Sequence, residues 1–446
     1  MIRSSALFIF TFMILFFPRI SAAEPGKELS VKEQAKLIAE ICEKVEDLYP
    51  FPDIGRRTSE AVNDEHNQGK YAEYTDPHDF ANKMTIDLER FSNDTHFRMM
   101  YDPEGAAQVK KLKDVEVAEE SLTAREARIE RWNNYGFKEL KILEGGIGYL
   151  DLRLFFAASY AGRIAVAAMN FLSECNAVII DLRYNGGGWD DMVNLLLSYF
   201  AESGCGVMFN VAQSTLDSSY YASSTLPYVP GKRLNDIPVY VLISRSTASG
   251  AEAFAAQIKC VNSRAILVGE TTAGAENPLG TVVIGDDYIL DIPVWRKIYS
   301  AYDINWEGKG VEPDVEVGVL EALQTAHMEA LEKLAEGATN EASKDRYQWA
   351  LDGVRAVYEP LSIPREILES YAGNYGTRKV TFIEGELYYQ YKDRTKRKMM
   401  AVTSDYFVVE RYDFFRVKFI RKNDEVSVLR EIFTDGSITN CARTGE

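Results

Sequence analysis

The sequence predicts an α/β protein: a largely parallel core, preceded by a helical segment and followed by a small antiparallel β segment. Three patterns carry that prediction. Leu37, Ile38, Ile41, Val45 and Leu48 recur at helical spacing near the start. From about Phe137, short apolar strand-like runs alternate with helical stretches, as in a parallel sheet whose crossovers are helices. Beyond Ser362-Ile-Pro-Arg365 the chain becomes dense in alternating aromatic, β-branched and charged residues, broken by turns such as Glu384-Gly and Asp435-Gly. With 446 residues and 46% apolar content there is material for two or three domains with ordinary cores. We place the boundaries at 24–136 (helical), 137–318 (α/β core), 319–362 (helical linker) and 363–446 (small β domain).

In chain order, Met1-Ile-Arg3 begins a basic start, Ala6–Phe17 is apolar, and Ile20-Ser-Ala-Ala23 ends in small residues, the pattern of a secretory signal peptide. About twelve apolar residues are too few to span a bilayer, which needs roughly 20. Cleavage is expected near Ala22 or Ala23, leaving an exported chain, periplasmic or extracellular, without a membrane anchor. Ser30 followed by Glu33 is a capping-box signature and opens a helix over 29–49. Further helices are expected over 76–90 and 117–132. Strands are expected at 142–155, 177–182, 239–244 and 265–268, with helices at 161–172, 192–200 and 251–259. Residues 320–358 read as two helices, and 379–383, 386–391 and 416–420 as antiparallel strands.

Charge and residue counts narrow the chemistry. The formal charge of −17 becomes −19 when the first 23 residues leave with Arg3 and Arg19 and no acid. So acidic a chain does not bind nucleic acid by phosphate neutralisation. The five cysteines, Cys42, Cys175, Cys205, Cys260 and Cys441, are scattered without metal-ligand spacing and read mostly as buried thiols, with one disulfide possible. Neither a metal nor an organic cofactor is expected. Only His66, His78, His96 and His327 are available as an imidazole base.

Ser249 lies where an apolar strand stops and a helical pattern starts at Gly250-Ala-Glu252. That is a nucleophile's position, because the turn exposes the hydroxyl and the first amides of the helix can hold an oxyanion. Such a serine also serves as an ordinary N-cap. Ala177–Gly188 is a buried strand ending in three glycines, which let an amide approach a ligand oxygen. It lacks the Lys-Ser/Thr of a phosphate loop and the spacing of a dinucleotide site. His96 falls in the polar turn Phe91–Arg98, and Glu307 among the glycines of Asn305–Gly310; in isolation each reads as a solvated turn residue. Together the three supply the nucleophile, base and orienting carboxylate of acyl transfer.

Four ordered motifs, Asp181–Gly188, Ser249–Glu252, Val268–Gly274 and Gly310–Asp314, resemble the tricorn and carboxyl-terminal processing family of serine peptidases, which includes the interphotoreceptor retinoid-binding protein. The resemblance covers about 137–318 and implies a crotonase/Clp-protease-like core. The loop Gly269–Asn277 has no lysine where processing peptidases place their base, and 101–136 is too short for a PDZ module. The resemblance is thus to the tricorn branch and implies Ser249 as nucleophile and His96 as base. It further implies Glu307 acting partly through the hydroxyl of Thr95, and an oxyanion hole from the amides of Gly250 and Gly188. Asp181 and Arg183 are read as an ion pair that positions the glycine loop. The expected activity is hydrolysis of peptides or unfolded protein segments by a Ser-His-Glu acyl-enzyme route. The alternatives are a non-catalytic binding protein for apolar small molecules or peptides on the same fold, and a scaffold acting through its C-terminal β domain.

Overall fold

The computed structural model describes residues 28–113, 127–202, 206–302, 305–423 and 425–444. The expected signal peptide, most of the expected helix 117–132 and Cys205 lie outside the described residues. By internal contacts the chain forms two compact units, one of residues up to Ile142 with Gly148–Ala322, the other of Leu143–Ile147 with Leu323–Glu446.

The first unit opens with helices α1 (Val31–Leu48), α2 (Pro52–Asn67) and α3 (Pro77–Ser92). The capping box at Ser30 forms, its hydroxyl accepting the Glu33 amide at 3.3 Å while the Glu33 carboxylate accepts the Ser30 amide at 2.8 Å. α3 ends at Asn93 in the left-handed region (φ 56°), which turns the chain sharply toward β1 (Arg98–Tyr101). Next come α4 (Pro103–Lys113), β2 (Phe137–Leu143), β3 (Ile147–Leu152), α5 (Ala158–Phe171), β4 (Ala177–Asp181), α6 (Asp190–Phe200), β5 (Met208–Ser214) and β6 (Tyr220–Ser224). The unit continues with β7 (Val239–Ile243), α7 (Gly250–Val261), β8 (Ala265–Gly269), β9 (Leu279–Ile284), β10 (Tyr288–Pro293), β11 (Trp295–Ser300) and β12 (Val315–Glu316).

The central sheet has the order β12-β8-β7-β4-β3-β2, with β12, β8, β7 and β4 parallel. Every residue of β4 and β7 is buried, which is why both read as unbroken apolar runs rather than alternating ones. The segment expected as one strand over 142–155 is instead β2 and β3, parted at Gly145 and Gly146, which both adopt positive φ. Two antiparallel sheets, β1-β10-β9 and β11-β5-β6, complete the unit. α1 and α3 place Ile38, Ile41, Val45, Phe80, Met84 and Leu88 in one core with Val282, Ile284, Leu290 and Ile292 of β9 and β10. The N-terminal helices therefore have no separate core.

The second unit contains helices α8 (Ala322–Glu336), α9 (Glu341–Tyr358) and α10 (Arg365–Tyr371) and an eight-stranded antiparallel sheet, sequential in order, from Gly373–Tyr375 to Ile438–Ala442. Tyr371 stacks on Phe419 with ring centroids 4.1 Å apart in its core. Glu384 and Gly385 both take positive φ, the geometry of a tight hairpin turn, as that dipeptide predicts. Cys42, Cys175, Cys260 and Cys441 are free thiols, and no helix among the described residues is long and apolar enough to cross a membrane.

Candidate active site

β7 ends at Ile243, and the turn that follows is tied down by the Ser244 amide donating to Thr247 Oγ1 (2.9 Å) and the Ala248 amide donating to the Asn185 carbonyl (3.1 Å). This delivers Ser249 at φ 51°, ψ −123°, a conformation that a non-glycine residue holds only under constraint from its surroundings. The constraint has an identifiable source in Glu252, which is fully buried. Its carboxylate accepts the Ser249 amide (2.9 Å), the Gly274 amide (2.7 Å), the Ala275 amide (2.8 Å) and the Thr272 hydroxyl. Burial pushes the Glu252 pKa up, against these hydrogen bonds, which favour the charged form.

The glycine loop approaches from β4. Arg183 grips Asp181 with two hydrogen bonds (2.9 and 2.6 Å), so the expected strand-end ion pair is present. Asn185 takes the Gly187 amide at 2.8 Å and donates to the Leu152 carbonyl at 2.9 Å. Gly188, at φ 148°, lies so close to Phe155 that a Cβ would sit 2.2 Å from its carbonyl oxygen. A Cβ on Gly250 would sit 2.9 Å from the Gly188 nitrogen. Only glycine permits that approach, and the amides of both glycines are without partners among the described residues.

His96 follows the Asn93 turn and is buried. Its Nδ1 faces Asp94 Oδ1 at 2.8 Å and Glu307 Oε1 at 3.6 Å, while Nε2 has no hydrogen-bond partner. Asp94 Oδ1 also accepts the His96 amide (3.0 Å), and its other oxygen accepts the Tyr49 hydroxyl (2.8 Å). Glu307 is held by the amides of Glu276 (2.8 Å) and Asn277 (3.0 Å), in the loop that Glu252 organises. Burial disfavours the imidazolium, but Asp94 and then Glu307 outweigh it and push the His96 pKa up to about 10. Burial likewise works to raise Asp94, yet its hydrogen bonds from His96 and Tyr49 hold it below the usual carboxylate range. The ligand atoms of Asp94, His96 and Glu307 lie within 4.8 Å of one another, so the same trio has the donor set of a divalent-cation site.

His96, Gly188, Ser249 and Gly250 line one cavity of about 90 Å³. The structure thus brings together Ser249, His96 and both glycines, with Glu307 behind the imidazole. No Ser249–His96 hydrogen bond is formed. Thr95 is exposed, and its hydroxyl makes no hydrogen bond to His96 or Glu307. Sequence reasoning overlooked Asp94 and gave Glu252 no role. Asp94 was within reach of a local rule, since Asp-Thr-His invites an aspartate to cap the amide two residues on; Glu252 was visible only as part of a motif.

The sequence model of peptidase family S41 matches residues 146–317, and that of the N-terminal domain of Peptidase_S41 in eukaryotic IRBP matches 29–138. Among solved structures, a putative peptidase from Parabacteroides merdae is similar at 16% identity and TM-score 0.49, over 69% of this chain and 99% of that one. The photosystem II D1 C-terminal processing protease is similar at 14% identity and TM-score 0.40, over 65% and 96%. The tricorn protease is similar at 12% identity and TM-score 0.39, over 66% of this chain and 35% of that one. The ordered motifs of the core and both sequence matches agree: the chain belongs to peptidase family S41 and is a serine-type peptidase acting on peptides or proteins.

Proposed function

We propose that this peptidase is exported and hydrolyses peptide bonds through an acyl-enzyme on Ser249. Ser249 Oγ attacks the scissile carbonyl carbon as His96 Nε2 takes its proton, and the amides of Gly188 and Gly250 receive the oxyanion. Collapse breaks the C–N bond, with His96 returning the proton to the leaving amine, and a water molecule repeats the sequence to release the acid. Asp94 and Glu307 fix the imidazole with Nδ1 toward carboxylate and stabilise its charged form. Thr95 enters by resemblance alone, as a hydroxyl that would relay Glu307 to the base. The observation that carries this reading is His96: its Nδ1 is held between two carboxylates, and its buried Nε2 lies unpartnered in the cavity of Ser249. The Oγ–Nε2 hydrogen bond is one that free enzymes often complete only with substrate bound.

Wild type and Ser249→Ala should be compared by fluorophosphonate labelling and peptide-library digestion. Labelling and turnover are expected to disappear in the variant, with turnover down at least about 10³-fold. Equal cleavage by both would end the nucleophile assignment, and an unlabelled wild type would favour the non-catalytic binding protein. Export rests on the composition of residues 1–23 and is checked by N-terminal sequencing of the mature chain, expected to begin near Ala23 or Glu24.

A further inference from the structure

The cavity beside Ser249 extends along α7. Gly250, Ala253 and Gln257 line it at helical spacing, and seven residues of helix reach about 10 Å from the nucleophile, enough for a long side chain. Gln257 and Asp190 are among the polar groups of that cavity that have no part in bond cleavage. Gln257 is 4% exposed and its Oε1 has no hydrogen-bond partner. Asp190, two residues beyond Gly188, has no ion pair among the described residues, and its carboxyl group is hydrogen-bonded to Tyr221. The Tyr221 hydroxyl in turn accepts from Asn194 (3.2 Å), whose side-chain oxygen accepts from Ser223 (2.9 Å). This chain of bonds fixes Asp190 but supplies no positive charge. The cavity's own cations are already paired, Lys297 with Glu276 and the imidazole of His96 with Asp94 and Glu307.

A half-buried carboxylate without a counter-charge and a buried acceptor without a donor are both satisfied by one guest, a cation carrying several N–H groups at the end of an apolar stem. We propose that this cavity takes a lysine or arginine side chain from the acyl side of the scissile bond, its cation seated between Asp190 and Gln257 Oε1. The acyl-side residue is the one placed here because Asp190 lies only two residues beyond Gly188, whose amide receives the carbonyl oxygen of that same residue. The acidic chain, at −17, also draws basic peptides toward it. This inference rests on Ser249 being the nucleophile.

The test uses the mature protein and three serine-directed probes: a small fluorophosphonate without a side chain, and a matched pair of peptidyl diphenyl phosphonates bearing a lysine or a norleucine side chain at the position next to phosphorus. The fluorophosphonate should label Ser249, and the lysine probe should react at least about tenfold faster than the norleucine probe. Asp190→Asn should bring that ratio close to one, which cancels any general loss of reactivity. Gln257→Met, which keeps the side chain's length and removes the acceptor, should lower it about threefold and serves if Asp190→Asn does not fold. Labelling by the fluorophosphonate together with a wild-type ratio below tenfold, or with no reaction of either phosphonate, overturns the proposal and leaves the nucleophile standing. A ratio unchanged in the folded variants overturns it as well. Failure of the fluorophosphonate to label Ser249 removes the nucleophile reading, and this inference with it.

Discussion

His96 sets the pH behaviour of the site. With its pKa pushed up to about 10, only a small fraction of the imidazole is neutral and able to accept a proton near pH 7. kcat/KM should therefore rise about tenfold per pH unit above neutrality and level off near pH 10; a profile flat between pH 7 and 9 would show that His96 is not the titrating base. Asp94→Asn removes the nearer carboxylate, so the rise should move to lower pH while the plateau falls about 10- to 100-fold from lost orientation. The same linkage acts on stability. The folded imidazole holds its proton more tightly than the unfolded one, so its stabilisation is complete below pH about 6.5 and is lost as pH climbs toward about 10. Thermal melts of wild type and His96→Gln should converge over that window. Thr95→Ala separates the relay implied by resemblance from the direct carboxylate contact. A fall in turnover of tenfold or more supports the relay, and a change within about twofold is expected if the carboxylates beside Nδ1 suffice. Chelation by EDTA should leave turnover unchanged, because the proposed route assigns Asp94, His96 and Glu307 to proton transfer.

At the scale of elements, the site is three loops sewn together by one side chain. Glu252 joins the first turn of α7 to residues 272–275, and the next two amides of that loop hold Glu307 behind His96. Replacing its carboxylate by an amide turns one acceptor oxygen into a donor facing donors. Glu252→Gln should cost about 2–4 kcal/mol of stability. It should also lower kcat more than it raises KM, since the nucleophile's backbone and the Glu307 loop lose a common anchor. Urea melts and steady-state kinetics measured on one preparation check both. In the second unit, Arg416 is 2% exposed, stacks 4.0 Å from the Trp349 ring and lies 3.5 Å from Asp352. Arg416→Ala should destabilise that unit by about 3 kcal/mol through lost packing and stranded polar partners, read as a lower melting temperature for the C-terminal sheet.

The whole molecule is partitioned by cores rather than by sequence segments. Phe80 of α3 is fully buried, with its ring 6.2 Å from that of Tyr288 of β10. Phe80→Ala should cost about 3–5 kcal/mol, and a fragment of residues 137–318 alone should aggregate, since β9 and β10 would expose the face that α1 and α3 cover. A soluble, folded 137–318 fragment would instead support the boundary placed at 136. How much was legible follows from the range of each interaction. The helix cap at Ser30, the buried strands Ala177–Asp181 and Val239–Ile243, the turn at Glu384-Gly385 and the order of the motifs are local, with partners a few residues away or a pattern along one segment, and the sequence by itself determined them. The pairing of β1 with β10, whose partners lie 187 to 193 residues apart, the shared core of α1, α3, β9 and β10, and the meeting of Asp94, Glu307 and Glu252 around His96 and Ser249 depend on contacts between distant segments. Only the tertiary structure decided those, because long-range packing chooses partners by shape and burial that no spacing along the chain records.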